Sequence, residues 1–109
     1  MTVYALAQIS IHDRERYDRY AAGFPAVLRL YGGRLLAADE APEVVQGSWP
    51  YDKVILMAFD NRDSYQRWAS SLEYQEISKD RLASIDGVVV VVEGVSSARR
   101  TNAASSETG

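Results

Sequence analysis

The sequence contains no cysteine and a single histidine, and each shortage excludes a kind of chemistry. Without cysteine the chain forms no disulfide and offers no thiolate nucleophile or thiolate metal ligand. The one histidine, His12, has no consistent carboxylate spacing around it and does not make a metal coordination sphere, and haem ligation would depend on it alone. We therefore expect no metal and no bound cofactor.

Long apolar runs and basic clusters are also missing. No apolar stretch approaches the length of about 20 residues that spans a membrane, and the first residues lack the basic start and apolar segment of a signal peptide. The 12 Lys and Arg are outnumbered by 15 Asp and Glu, which gives a net charge of −3. An acidic chain without a basic stripe lacks the charge that binds nucleic acid or an anionic membrane. We expect a cytoplasmic protein that binds neither.

The first third of the chain predicts a strand, a helix and a second strand. Alternating side chains over 3–10 indicate the first strand, and apolar residues at three-and-four spacing predict a helix over about 13–31. Pro25 lacks a backbone donor, so a kink or restart is expected there. Gly32-Gly33 supplies the geometry that ends a helix, and 34–38 is the predicted second strand.

The remainder predicts two further strands and more helix. Residues 43–46 are a candidate continuation of a hairpin, and 53–59 form a third strand that is apolar on both faces. Asn61 is a candidate cap for a helix that continues as a second helical segment over 73–85. Five consecutive valines, 88–92, then predict the last strand.

This order, β-α-β-β-α-β, predicts an α+β fold: a ferredoxin-like sandwich with a four-stranded antiparallel sheet and helices on one face. The third and last strands carry apolar side chains toward both faces, so a monomer would expose an apolar patch. We therefore expect a homodimer through facing sheets. Residues 1–95 are expected to form one domain, and 96–109, rich in Ser, Ala and Thr, a flexible tail.

Four motifs occur in the order and at the spacing of a known family. They are Tyr31-Gly32-Gly33-Arg34, Gly47-Ser48-Trp49-Pro50, residues 71–77 with Arg81, and Val92-Glu93-Gly94. On these motifs the chain resembles, over about residues 3–95, the uncharacterised family called "domain of unknown function 1330". The resemblance implies a dimeric ferredoxin-like α/β barrel, in a superfamily that also holds small monooxygenases, muconolactone isomerases and haem-dependent chlorite-degrading enzymes.

No established activity accompanies that family, so the resemblance strengthens the fold and leaves the function open. One departure from the family pattern concerns the end of the third strand. Many relatives carry an acidic residue just before the phenylalanine there, whereas this chain has Ala58 before Phe59. A role for that acid does not transfer to this chain.

Arg81 is the most unusual residue of the second helical segment. At about 100° per residue, Tyr74, Ser78 and Arg81 fall within about 60° of arc, on the face expected to pack on the sheet. Because an unpaired buried charge is costly, we favour a fixed ion pair or a clamp on backbone carbonyls, with Glu93 as the natural partner. The alternative is that Arg81 supplies positive potential to a ligand carboxylate or enolate in an adjoining cavity.

Three further features are candidates for function. Arg34 can point into the space between subunits or cap carbonyls at the end of the first helix, and we favour capping. His12 is the one neutral-pH proton carrier and a weak catalytic candidate, since a loop histidine beside a helix cap is usually only solvated. The aromatic residues of the helical stripes are expected to pack in the core rather than to line a ligand pocket.

Two functions remain open. The first is a homodimeric small-molecule binder or cofactor-independent enzyme, with a pocket between helices and sheet or at the dimer interface. Its candidate ligand-binding residues are Arg81, Arg34, Glu93, Tyr74 and Gln8, and proton transfer or oxygenation would suit a site without metal ligands. The second is a structural or regulatory dimer module without chemistry, since no catalytic constellation occurs. A cavity holding Arg81 or Arg34 without a protein partner would favour the first.

Overall fold

The computed structural model describes residues 1–95, which form a four-stranded sheet and three helices. The strands are β1 (Val3–Ile11), β2 (Arg34–Asp39), β3 (Lys53–Phe59) and β4 (Ile85–Glu93), and the helices are α1 (Arg14–Leu30), α2 (Arg62–Ala69) and α3 (Leu72–Ser84). None of these three helices is both long and apolar enough to cross a membrane. The predicted tail, residues 96–109, lies outside the described residues.

The strands lie in the order β2-β3-β1-β4, and every neighbouring pair is antiparallel. β1 is paired on both sides, so that Ala7 lies between Ile55 of β3 and Val89 of β4. Each half of the molecule is therefore a βαβ unit whose two strands are separated by one strand of the other half. The predicted ferredoxin-like α+β fold is confirmed.

Each helix begins at a side-chain cap, which explains where the chain turns from strand or loop into helix. The side chains of Asp13, Asn61 and Ser71 accept hydrogen bonds from the backbone amides of Arg16, Ser64 and Tyr74, respectively. α1 ends at the two glycines. Gly32 has a φ of +76°, and a Cβ at Gly33 would lie 2.7 Å from a ring carbon of Phe59.

The core lies between the helices and one face of the sheet, which we call the inner face. β1 contributes every second residue to this face, namely Val3, Ala5, Ala7 and Ile9, and all four are buried. The helices cover it with buried side chains that include Tyr17, Tyr20, Phe24, Leu28 and Trp68. The inward-facing side chains of β1 thus pack against the apolar stripe of α1.

The opposite, outer face of the sheet carries an apolar patch. It is formed by Leu6 of β1, Val54 and Leu56 of β3, and Val88, Val90 and Val92 of β4. The three valines are between 43% and 49% exposed. No helix in residues 1–95 covers this face, so the predicted apolar patch is present.

Two local predictions, a restart of the helix at Pro25 and a hairpin strand over 43–46, are wrong. α1 runs unbroken from Arg14 to Leu30 and includes Pro25, so there is no restart, and a kink at Pro25 stays a prediction. Phe24 is buried beside the proline and Leu28 one turn later, so core packing holds the helix together although Pro25 cannot donate a backbone hydrogen bond. Residues 43–46 form no strand, because the pairing of β2 with β3 ends at Asp39 and leaves them no partner.

Candidate functional site

A cavity of about 270 Å³ lies between the helices and the inner face. Its floor contains Ala5 and Ala7, which occupy the centre of the sheet because β1 is an interior strand. Two methyl groups at these positions leave space that larger side chains would fill. The small side chains of Ala5 and Ala7 thus leave room between the sheet and the residues of the three helices that line the cavity.

Aromatic side chains form the walls of the cavity. They are Tyr17, Tyr20, Phe24, Tyr65, Trp68 and Tyr74, drawn from all three helices. The ring centroids of Trp68 and Tyr74 are 4.1 Å apart, and those of Phe24 and Trp68 are 6.0 Å apart in an edge-to-face arrangement. The aromatic stripe packs in the core, as the spacing predicts, and its rings also line the cavity.

The hydroxyl groups of Tyr20 and Tyr74 meet at one wall, with their oxygens 3.3 Å apart. Burial, reinforced by the neighbouring Tyr74, raises the pKa of Tyr20 above its ordinary value, while the positive charge of Arg81 acts in the opposite direction. The Tyr20 hydroxyl consequently keeps its proton at neutral pH. Since one hydrogen bond joins two hydroxyls, one O–H of the pair remains available to another acceptor.

Arg81 also lines the cavity, from the last turn of α3. Its guanidinium makes no hydrogen bond and no ion pair with any residue of the described range 1–95. Asp80, the adjacent carboxylate, is instead bound by two arginines of α1: Arg16 Nε and Arg19 Nη2 each lie 3.2 Å from its Oδ1. Arg81 is therefore a partly buried cation that lacks a partner within this part of the chain.

The predicted pairing of Arg81 with Glu93 is wrong. Glu93 ends β4 and lies 3.8 Å from Arg62 of α2. Arg81 precedes the first residue of that strand, Ile85, by one helical turn. An extended strand of this length carries the chain roughly 26 Å, so the two side chains stand at opposite ends of the sheet.

Lys53 is a second cation at the cavity, which the sequence reasoning did not single out. Its Nζ lies 5.0 Å from the ring centroid of Tyr17 and 3.8 Å from Oε2 of Glu40. Two hydrogen bonds from Arg14 hold the same carboxylate and lower the pKa of Glu40. The two-residue alternation of β3 places Lys53 on the same face as Ile55, the inner face, so the sequence pattern could have predicted that Lys53 faces the core.

Gln8 and Arg34 lie on the outer face, away from the cavity. The Gln8 Oε1 accepts a hydrogen bond of 2.7 Å from Nε1 of Trp49, in the loop between β2 and β3. Arg34 donates to Oδ1 of Asp60 at 2.9 Å. The favoured capping role of Arg34 is wrong, because backbone amides such as that of Gly33 bind the last carbonyls of α1.

His12 is also outside the cavity. Its Nε2 lies 3.5 Å from Oδ2 of Asp86, and both side chains are exposed, so water reaches them. Among residues 1–95, no three His, Asp or Glu side chains come together in a way that could hold a metal ion. Of the six candidate site residues, the fold thus brings Arg81 and Tyr74 to one cavity and places the other four elsewhere.

The sequence family described as "Domain of unknown function (DUF1330)" matches residues 2–95. The chain belongs to this family. The predicted membership is therefore confirmed, and DUF1330 has no established activity. No curated protein matches the chain in sequence.

Solved structures share the fold of this DUF1330 chain at low identity. RPA0582, a protein of unknown function from Rhodopseudomonas palustris, is 15% identical with a TM-score of 0.75, over 87% of this chain and 83% of that one. SnoaB, a cofactor-independent oxygenase from Streptomyces nogalater, is 9% identical with a TM-score of 0.65, over 88% and 95%. A dimeric ferredoxin-like protein of unknown function from Bacteroides fragilis is 14% identical with a TM-score of 0.63, over 85% and 96%. These likenesses concern the fold alone.

Proposed function

We propose that this DUF1330 protein is a homodimer that binds a small molecule in the cavity between its helices and its inner face. The observation that carries the proposal is Arg81, a cation without a protein partner in the described range, at a cavity walled by aromatic rings. A charge that is partly removed from water and has no partner is costly, and a bound ligand would supply the missing acceptor. The volume of about 270 Å³ lies near the lower end of ligand pockets, about 300 Å³, and suits a small molecule.

The apolar patch of the outer face supports the dimer. A contiguous apolar face of this kind marks an interaction surface, and a second copy of the same sheet is its simplest cover. The Bacteroides fragilis neighbour is likewise a dimeric protein. Facing sheets would leave both cavities on the helical sides, so each subunit would bind its own ligand. We also propose that the protein is located in the cytoplasm, as its acidic, cysteine-free sequence suggests.

The chemistry of the cavity favours binding over acid–base catalysis. Tyr20 holds its proton at neutral pH because burial raises its pKa, and His12 lies outside. No Asp or Glu belongs to the described residues that line the cavity. A carboxylate to act as general base for proton abstraction is thus lacking among them. A module without any ligand is the weaker alternative, since it leaves Arg81 unpaired.

Native mass spectrometry of the purified protein, followed by a thermal-shift screen of metabolite classes, tests the proposal. Ala7→Leu fills the floor of the cavity, whereas Ala22→Leu adds the same atoms to an exposed position of α1 and is the control. We expect ligands to raise the melting temperature of wild type and Ala22→Leu but not of Ala7→Leu. Equal stabilisation of Ala7→Leu would place the site elsewhere, and no bound species together with no stabilising compound would overturn the proposal. Oxygen uptake with each stabilising compound tests whether the protein, like SnoaB, is an oxygenase.

A further inference from the structure

The residues that line the cavity have an unbalanced charge. Two are cations, Arg81 and Lys53, and none of those in the described range is a carboxylate. Lys53 lies 3.8 Å from Glu40, which also binds Arg14, and Arg14 in turn binds Asp18, so these two cations are balanced by two carboxylates. Arg81, by contrast, has no counter-ion within residues 1–95. The cavity therefore carries one uncompensated positive charge, and that charge belongs to Arg81.

The hydrogen-bonding groups of the cavity are mainly donors. A guanidinium has five N–H donors and no acceptor. The Tyr20–Tyr74 pair keeps one O–H that its own hydrogen bond does not use. Tyr74 and Arg81 are seven residues apart on α3, which places both on one face of that helix, and both line the cavity. A ligand that satisfies them must present acceptors, and at least one of its atoms must carry negative charge.

The rest of the cavity is apolar and aromatic. The floor of the cavity is formed by the apolar side chains of Ala5, Ala7 and Met57, and aromatic rings of the helices lie opposite this floor. Flat rings pack well among aromatic walls in stacked or edge-to-face contacts. A cavity of about 270 Å³ holds one or two such rings rather than a larger ring system.

We infer that the cavity takes an aromatic carboxylate of one or two rings, with its carboxylate on Arg81 and the Tyr20–Tyr74 pair and its rings among the aromatic walls. The inference rests on the proposed function and adds the class of ligand. A single carboxylate matches the single uncompensated charge and the bidentate shape of a guanidinium. A phosphate ester carries about two charges at neutral pH and would leave one unbalanced in apolar surroundings, which disfavours it.

Calorimetric titration of the full-length protein with matched ligands tests this inference. The probes are salicylate and naphthoate, each compared with its neutral amide, salicylamide and naphthamide. Since a hydrogen bond to a charged group is worth about 1.5–3 kcal/mol, each carboxylate should bind wild type roughly tenfold or more tightly than its amide. Arg81→Gln should abolish that preference and Arg81→Lys should restore part of it. Arg29→Gln, which removes an exposed arginine of α1, should leave it unchanged.

A second measurement needs no variant. Naphthoate binding to wild type should weaken as the pH falls below the pKa of the ligand's own carboxyl group, while naphthamide binding should not. Two results would overturn the ligand class: equal affinity for the acid and the amide, or an unchanged preference of Arg81→Gln for the carboxylate. If Ala7→Leu still blocks binding in either case, the cavity remains the binding site. The class is likewise wrong if only uncharged or cationic compounds bind in a manner that Ala7→Leu abolishes. If no compound of any class binds, the proposed function itself is overturned.

Discussion

The hydroxyl oxygens of Tyr20 and Tyr74 lie 3.3 Å apart and join α1 to α3 at the wall of the cavity. The two residues are separated by 54 positions in the chain, and their rings meet edge to face with centroids 6.3 Å apart. The contact keeps a buried phenol satisfied without any charged partner, and it leaves one O–H for a ligand.

Replacing one of the paired tyrosines should cost stability. In Tyr74→Phe the buried Tyr20 hydroxyl loses its partner, so we expect the free energy of unfolding to fall by about 1–2 kcal/mol in urea denaturation. Tyr51→Phe is the control, because the Tyr51 hydroxyl makes no hydrogen bond within residues 1–95. Equal stability of the two variants would contradict the importance of the pair.

The ion pairs of Asp80 should make stability depend on acid pH. Hydrogen bonds from Arg19 and then Arg16 lower the pKa of Asp80 in the folded protein. Its stabilising contribution is therefore present above the ordinary Asp pKa of about 4 and is lost as the pH falls through the lower folded value. We expect Asp80→Asn to unfold with a shallower loss of stability below about pH 4 than wild type, measured by urea titration at several pH values. The control is Asp63→Asn, which removes a carboxylate from an exposed position of α2.

A charge on the outer face should break the proposed dimer. Val90 lies opposite Leu6 within the apolar patch and is 43% exposed in one subunit. Each Val90→Asp subunit should therefore fold, but two subunits should not associate, because the interface would bury an unpaired charge. Sedimentation should show a dimer for wild type and a monomer for Val90→Asp at the same micromolar concentration. Leu72→Asp places the same charge at the exposed start of α3 and should remain dimeric. A monomeric wild type, or a dimeric Val90→Asp, would rule out facing sheets.

Two glycine substitutions should differ in cost because their surroundings differ. A Cβ at Gly87 would lie against the Gln8 carbonyl oxygen and 2.8 Å from the Ile9 Cα, so Gly87→Ala must push β4 away from β1. We expect a loss of about 2–3 kcal/mol in the free energy of unfolding. Gly47 has a φ of +87° but open space around it, and Gly47→Ala should cost only about 1 kcal/mol. Thermal or urea unfolding compares the two, and a smaller effect at Gly87 would contradict the strand contact.

The sequence alone determined the order of the elements, their periodicity and the position of Arg81 on the sheet-facing side of its helix. These properties depend on residues close together in the chain: three-and-four spacing for the helices, two-residue alternation for the strands and Gly32-Gly33 for the end of α1. The apolar outer face also follows from this local pattern. A strand with apolar side chains at successive positions places them on both faces of the sheet, so the outer face becomes apolar as well.

Only the tertiary structure decided which side chains meet. Contacts between α1 and α3 put Arg16 beside Asp80, 64 positions away, so the carboxylate next to Arg81 in the chain binds Arg16 and Arg19 instead. The same geometry carried Glu93 to the far end of β4 and turned Gln8 and Arg34 to the outer face. Which side chains pair depends on distances across the fold, whereas periodicity depends on residues close together in the chain. The sequence therefore placed Arg81 on the sheet-facing side of its helix, but it did not show that Arg81 lacks a partner within residues 1–95.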